Sequence, residues 1–272
     1  MSVLDLLLGE RQTLIEKRLA LHGRVIAADL AAELGVSEDT IRRDLREMAA
    51  AGLCRRVYGG ALPPAAETPF SERAGSDAER KDALARAVVP LVAAGSAIFL
   101  DSGSTNLAIA RALPADRQLT VATNAPAIAA ALIDNTGIDV IQIGGSIDRT
   151  TGAAAGAKAL LDAEALRPDL CILGACGLHP DAGVTAFSFE EAEFKRFVAL
   201  RSRTVLTAVT NDKLGMAAPY SVVALSRLDH AVFEADADGR ELDEFAAAGL
   251  RITQAAPPAA RPAKRTRNNA TS

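Results

Sequence analysis

Cysteine and histidine are scarce in this chain, with three of each among 272 residues. Cys54, Cys171 and Cys176 are odd in number and form no C-x-x-C pair, so the sequence carries no sign of a disulfide framework; reduced thiols in the cytoplasm are the expectation. His22, His179 and His230 lie far apart, which suggests neither a zinc site nor a Cys-His or Ser-His device; no metal and no cofactor are expected. The start of the chain lacks the charged, apolar, small-residue pattern of a leader, and no apolar run is long enough to span a bilayer. Positive charge is also short, the formal net charge being −4. The segment from Ala255 onward nevertheless carries Arg261, Lys264, Arg265 and Arg267 and no acid, so the chain without those four cations sums to −8. Overall charge therefore does not advertise nucleic-acid binding, and any such function must be local.

Apolar residues make up 49% of the chain, enough for a buried core, and its length suits two domains. Three helical patterns come first. Leu6 to Leu21 repeats apolar residues at Leu7, Leu14, Ile15, Leu19 and Leu21, and Gly23 ends it. A short Ala/Leu helix, AADLAAELG, closes on Gly35 as a C-terminal cap. Ser37 then caps a third helix, with Glu38 and Asp39 in the first turn, where the helix dipole favours acids.

On a helical wheel Leu45 and Met48 fall within about 40° of Ile41, a narrow buried stripe. Arg42, Arg46 and Arg43 fall at roughly 100°, 140° and 200° from it, and Thr40 at about 260°. The basic side chains thus occupy the solvent arc. A lone R-R-x-x-R helix would be read as an ordinary solvated face. Here two short helices joined by a Gly turn are followed by LCRRVYGGAL, which alternates apolar and basic residues up to a Gly-Gly turn. That order matches a helix-turn-helix with a wing, Arg55 and Arg56 lying near DNA phosphates.

The stretch AADLAAELGVSEDTIRRDLREMAAAGLCRRVYGGAL, with S-x-x-T-I-R-R-D-L followed by R-x-Y-G-G, resembles the DNA-binding domain of the DeoR family of bacterial transcriptional regulators. The resemblance implies a winged helix-turn-helix whose second helix enters the major groove. Arg42 and Arg43 would be the main DNA contacts, Ser37, Glu38 and Thr40 would lie at the groove-facing start, and Arg46, Arg55, Arg56 and Tyr58 would complete the surface.

PPAAETPFSER breaks the periodicity. The expected organisation is a DNA-binding domain over 1–62, a linker over 63–75, a larger domain over 76–254 and a disordered basic tail over 255–272. A helix is expected from about Asp77 to Ala94, with Lys81 on its polar face. Beyond it, the strand candidates AIFL, LTVAT, DVIQIGG, DLCILGA, TVLTAV and HAVFEA are interspersed with helical runs. Apolar strands alternating with helices predict a Rossmann-like, mostly parallel α/β domain, whose ligands sit outside the C-terminal strand ends.

The richest strand end is IFLDSGSTN, where a strand closes on Asp101 and Ser102, Gly103, Ser104 and Thr105 lead into a helix. Glycine allows close approach of an anion, and the free N–H groups of a helix start can cradle a phosphate. An ordinary turn in which Ser104 or Thr105 merely caps reads equally well from this stretch alone. Thr123 and Asn124, then Gly144 and Gly145, then Lys213 follow other strands, and their chemistry favours a polyhydroxylated phosphate ligand.

LDSGST, TNAPAIAAAL, GGSIDRTTGAAAG, DLCILGACGLHPDAGVT and EEAEFKR extend the resemblance to the DeoR-type sugar-phosphate sensor domain, which is similar to ribose-5-phosphate isomerase. By implication Asp101, Ser102, Gly103, Ser104, Thr105, Asn124, Gly144, Gly145, Lys195 and Lys213 are effector contacts. The chain has Thr210 where the family usually has an acid, three residues before the lysine matching Lys213. An isomerase needs a carboxylate base beside its substrate. Leu173 and Cys176 stand where the isomerase motif D-G-A-D has its two aspartates, so the pocket is expected to bind its ligand rather than turn it over. The resulting expectation is a regulator, a repressor of a carbohydrate operon, that binds operator DNA as a homo-oligomer and answers to a phosphorylated sugar. The alternative is a sugar-phosphate isomerase with a DNA-binding appendage.

Overall fold

The computed structural model describes residues 8–63 and 69–258. The first domain opens with α1 (Leu8–His22), β1 (Val25–Ile26), α2 (Ala27–Leu34) and α3 (Glu38–Ala50). A hairpin of β2 (Arg55–Val57) and β3 (Gly60–Leu62) closes it, with β1 on the other side of β3. Gly35 adopts the left-handed conformation that ends α2, and the Ser37 hydroxyl accepts from the Thr40 N–H at the start of α3. Ile41, Leu45 and Met48 are buried, together with Ile15 and Leu19 of α1 and Leu30 and Leu34 of α2. The expected stripe is therefore the seam on which the three helices meet.

The second domain begins earlier than the sequence suggests. Its α4 (Phe70–Gly75) falls in the expected linker, because Phe70 packs on the larger core. In α5 (Ala78–Val88), Lys81 is buried rather than placed on a polar face. Its ammonium donates at 2.6 Å to the carbonyls of Arg73 and of Ser76, closing the end of α4 that the helix itself leaves unsatisfied.

Then follow β4 (Ala97–Leu100), α6 (Ser104–Ala112), β5 (Leu119–Thr123), α7 (Pro126–Leu132) and β6 (Ile138–Gln142). A ribbon of β7 (Ser146–Asp148) and β8 (Ala153–Ala155) precedes α8 (Ala157–Ala163) and β9 (Leu170–Leu173). β10 (Gly177–His179) and β11 (Gly183–Ala186) lead to α9 (Phe189–Arg201) and β12 (Thr204–Val209). The chain finishes with β13 (Tyr220–Val223), β14 (His230–Phe233), α10 (Gly239–Ala247) and β15 (Arg251–Gln254).

All six expected strands join one sheet, in the order β15-β14-β12-β9-β4-β5-β6, and every pairing in it is parallel. Its seventh strand, β15, was not expected: RITQ holds a single large apolar residue, Ile252. Ala255 continues beyond it, buried and donating to the Phe233 carbonyl, so packed chain extends one residue into the expected tail. The four tail cations lie outside the described residues. The order matters for function. From β4 the chain runs outward through β5 and β6, then returns to β9 and runs the other way. The crevice between the C-terminal ends of β4 and β9 is thus the topological switch point, where ligands of open α/β sheets bind.

Candidate nucleic-acid interface and effector pocket

On α3, Arg42, Arg43 and Arg46 are all exposed, on the side away from the Ile41–Leu45–Met48 seam. Arg42 is paired with Glu38 at 2.6 Å and Arg43 with Glu47 at 3.3 Å, each one helical turn away. Such exposed pairs are worth about 0.3–0.5 kcal/mol, well below the roughly 1–3 kcal/mol typical of an arginine bidentate to guanine, so they do not commit either guanidinium. Behind the helix the sequence concealed a buried fastening. Asp44 takes both guanidinium arms of Arg11, one of them at 3.0 Å, and so ties α1 to α3. That hydrogen bond, opposed by burial, holds the Arg11 guanidinium above its ordinary pKa. An acid beside R-R in sequence gives no sign that it faces inward.

The wing divides its arginines. Arg56 is exposed. Arg55, expected at a DNA phosphate, turns the opposite way and lies with its guanidinium carbon 3.5 Å from the centroid of the Phe187 ring of the second domain. Tyr58 is largely exposed, but its ring meets His179 edge-on at 5.2 Å, and its backbone forms a bridge with Ala217. A partly buried Arg24–Glu241 pair at 2.8 Å adds a further tie between the two domains.

At the switch point, Asp101 follows the last residue of β4 and Gly174 the last residue of β9. Lys195, from α9, donates to Asp101 at 2.5 Å and to the Gly174 carbonyl at 3.0 Å, with Glu191 at 3.4 Å; both Lys195 and Asp101 are buried. Burial pulls the Lys195 ammonium down, but the carboxylates of Asp101 and Glu191 outweigh it, and its pKa ends above the ordinary lysine value. Gly174 has to be glycine here, since a Cβ would come within 2.4 Å of the Ser102 carbonyl oxygen. Asn106 fixes the same junction, its amide donating to the carbonyls of Asp101 at 2.8 Å and Ile172 at 3.1 Å.

Above this floor lies a pocket of about 240 Å³. Ser102, Gly103, Ser104 and Thr105 line it at the start of α6, with Lys195 and Lys213 opposite. Gly103 precedes the helix at φ 136°, a conformation that L side chains rarely adopt and that leaves the turn open to the pocket. The Thr105 hydroxyl is buried and has no hydrogen-bond partner among the described residues. Cys176 also borders the pocket; burial, and then the Glu191 carboxylate, push its thiol up to about 11, so it is a neutral wall and not a nucleophile at pH 7.

The structure therefore brings Ser102, Gly103, Ser104, Thr105, Lys195 and Lys213 together, as expected, but leaves four expected contacts outside. Asp101 does not line the pocket, because its carboxylate is committed below to Lys195 and to the Gly174 N–H. Asn124 donates to the Ala154 carbonyl at 2.9 Å, and Gly144 and Gly145 lead into the β7–β8 ribbon. These three hold the ribbon whose turn supplies Asp148, Thr150 and Thr151 to the pocket rim. Arg73 of α4 is also on the rim and donates to the Thr150 carbonyl at 2.9 Å. Neither Arg73 nor the ribbon turn was foreseen, since nothing local in ETPFSERAG or IDRTTG distinguishes a rim from a surface loop.

Comparison with known proteins matches residues 11–65 to the DeoR-like helix-turn-helix domain and residues 76–235 to the DeoR C terminal sensor domain. The chain is 30% identical over 246 residues to the HTH-type transcriptional regulator GolR of Listeria innocua, covering 89% of this chain and 97% of that one. It is 32% identical over 210 residues to the glycerol-3-phosphate regulon repressor of Escherichia coli strain K12, covering 76% and 83%. Among solved structures, ribose 5 phosphate isomerase A from Neisseria gonorrhoeae overlaps 51% of this chain and 54% of its own, at 16% identity and a TM-score of 0.38. That likeness is too distant to carry an argument. The relatives are named as regulators, which decides for regulator over isomerase. With both family models matched and these relatives similar over most of their length, the chain belongs to the DeoR family of transcriptional regulators.

Proposed function

We propose that this regulator binds operator DNA through α3 and the outer face of the wing, as a repressor of a carbohydrate operon, and that a phosphorylated sugar in the switch-point pocket alters that binding. The observation that carries the reading is the pocket itself. The open start of α6 and the side chains of Lys213 and Arg73 line one small cavity, with Lys195, already paired to Asp101 and Glu191, in its floor. Helix-start N–H groups and fixed ammonium groups favour a dianion over a neutral hydroxyl. The rim hydroxyls of Thr150 and Thr151 and the Asp148 carboxylate suit the sugar end. On this reading Arg42, Arg43 and Arg46 reach bases and backbone in the major groove, Ser37, Glu38 and Thr40 set the entry of the helix, and Arg56 and Tyr58 flank it. A homo-oligomer, at least a dimer, supplies two such heads to a two-fold operator.

The test is a titration of operator binding at fixed salt against a panel of sugar phosphates and the corresponding free sugars. One phosphate is expected to change operator affinity by roughly 5- to 150-fold, the usual range of allosteric coupling. Its free sugar is expected to do nothing, and a free sugar that works as well as its phosphate rules the assignment out.

A further inference from the structure

The pocket that the second domain opens is not closed by that domain alone. Two of its lining residues, Arg55 and Leu62, belong to the wing of the DNA-binding domain, where they face each other across the β2–β3 hairpin. We propose that Arg55 is an effector ligand: the DNA-binding domain contributes a guanidinium to the sugar-phosphate pocket, so that the bound effector clamps the wing against the sensor domain. The proposal rests on the effector reading above and adds to it the residue that transmits the signal.

Three observations carry it. First, Arg55 is held in place by its own surroundings. Its guanidinium carbon lies 3.5 Å from the centroid of the Phe187 ring, and Phe187 is itself part of the pocket wall. A guanidinium held over an aromatic ring by cation–π attraction still carries N–H donors of the kind that bind oxyanions. Second, Phe187 is joined directly to the floor of the site. It precedes Ser188, whose hydroxyl caps α9, and α9 carries Glu191 and Lys195. A shift of the wing at Arg55 is therefore felt at the helix that holds the buried ammonium. Third, successive residues of a strand point to opposite faces, so the strand that directs Arg55 inward directs Arg56 outward, where it is exposed. The Tyr58–Ala217 bridge and the Tyr58–His179 contact hold the rest of the hairpin in that docked position.

Sequence pattern had grouped Arg55 with the DNA contacts. The geometry separates the two arginines: one reads the metabolite and the other faces the operator. A ligand that gains a contact only in the docked arrangement shifts the population toward it, and where the operator favours the other arrangement, ligand and operator weaken each other by the same factor.

The experiment uses the full-length chain and three variants, R55A, F187L and R56A. Each is titrated calorimetrically with the sugar phosphates of the panel and with inorganic phosphate, and by fluorescence anisotropy with labelled operator, with and without the phosphates. R55A is expected to weaken the active sugar phosphate by about tenfold or more, the order of one charge-assisted hydrogen bond, and to bring the operator coupling factor toward one. F187L, which removes the stack from the sensor side, is expected to lower both by a smaller factor. R56A is expected to lose operator affinity and to keep sugar-phosphate affinity. If the wild-type chain responds to a sugar phosphate and both R55A and F187L respond identically, the clamp is wrong and the effector reading stands. If R55A loses effector-free operator affinity as R56A does, Arg55 is a DNA contact and the proposal fails. If no phosphate in the panel binds the wild-type chain, the effector reading fails and takes the clamp with it.

Discussion

Asp101 and Asp44 are both buried aspartates paired with a cation, and in each case the pair joins two elements. Removing one partner of such a pair leaves an uncompensated charge and costs about 3–5 kcal/mol. Asp44→Ala is expected to destabilise the DNA-binding domain by less, about 1–3 kcal/mol, because the partly exposed Arg11 loses its main charged acceptor. Denaturant unfolding checks this; a loss under about 1 kcal/mol would mean that α1 and α3 hold together without the pair. The Asp101–Lys195 pair predicts a pH dependence. The folded pKa of Lys195 lies above its unfolded value, so its contribution is fully present below the ordinary lysine pKa of about 10.4 and is lost as pH rises from there through the folded value. Unfolding midpoints measured from pH 8 to 11 should fall at the alkaline end. Asp101→Asn should lower stability already at pH 8, since burial then acts on Lys195 with only Glu191 to oppose it.

At the scale of the element, α3 separates stability from recognition by face. Its inner face is the Ile41–Leu45–Met48 seam with Asp44, and its outer face carries three arginines, of which Arg42 and Arg43 pair with glutamates one turn away. Arg43→Ala is expected to lower specific operator affinity by about tenfold or more, consistent with roughly 1–3 kcal/mol per arginine–guanine contact. The melting temperature should stay unchanged, because the Arg43–Glu47 pair contributes only about 0.3–0.5 kcal/mol. A gel-shift titration at fixed salt, with a scrambled duplex as control, measures the first effect, and equal losses on both duplexes would make Arg43 a phosphate contact instead. The wing follows the same logic with period two, and there the alternation, not the composition, decides which arginine faces outward.

At the scale of the molecule, two domains touch through the wing, through Arg24–Glu241 and across a cleft of about 1320 Å³. That cleft carries mixed charge, with Arg18, Arg80 and Lys213 set against Asp29, Asp212 and Glu234. The small pocket and the wing share Arg55 and Leu62, so the clamp proposed above needs a route only a few residues long, through contacts rather than through the sheet. Arg80 holds the buried Glu234, and Glu234 in turn accepts the N–H of Asn211, two residues before Lys213.

The sequence alone was enough for everything that depends on neighbours three or four residues away. The Gly35 cap, the Ser37 cap, the Ile41–Leu45–Met48 seam and the six strands of the sheet are written in local periodicity and local hydrogen bonding, and so are the exposed arginines of α3. The DSGSTN turn was legible as a strand end meeting a helix start for the same reason, the two being adjacent in the chain, and the fold sets it on the pocket wall. Tertiary structure decided what depends on distant segments meeting. Lys81 is buried because α4 ends over it, and Asp101 is withdrawn from the pocket because Lys195 arrives from α9. Arg55 leaves the expected DNA face because Phe187 is brought beneath it from the other domain. Side-chain chemistry fixes what each of these groups can do, but a charge takes whichever partner the fold delivers, and that partner lies too far along the chain for any local pattern to name.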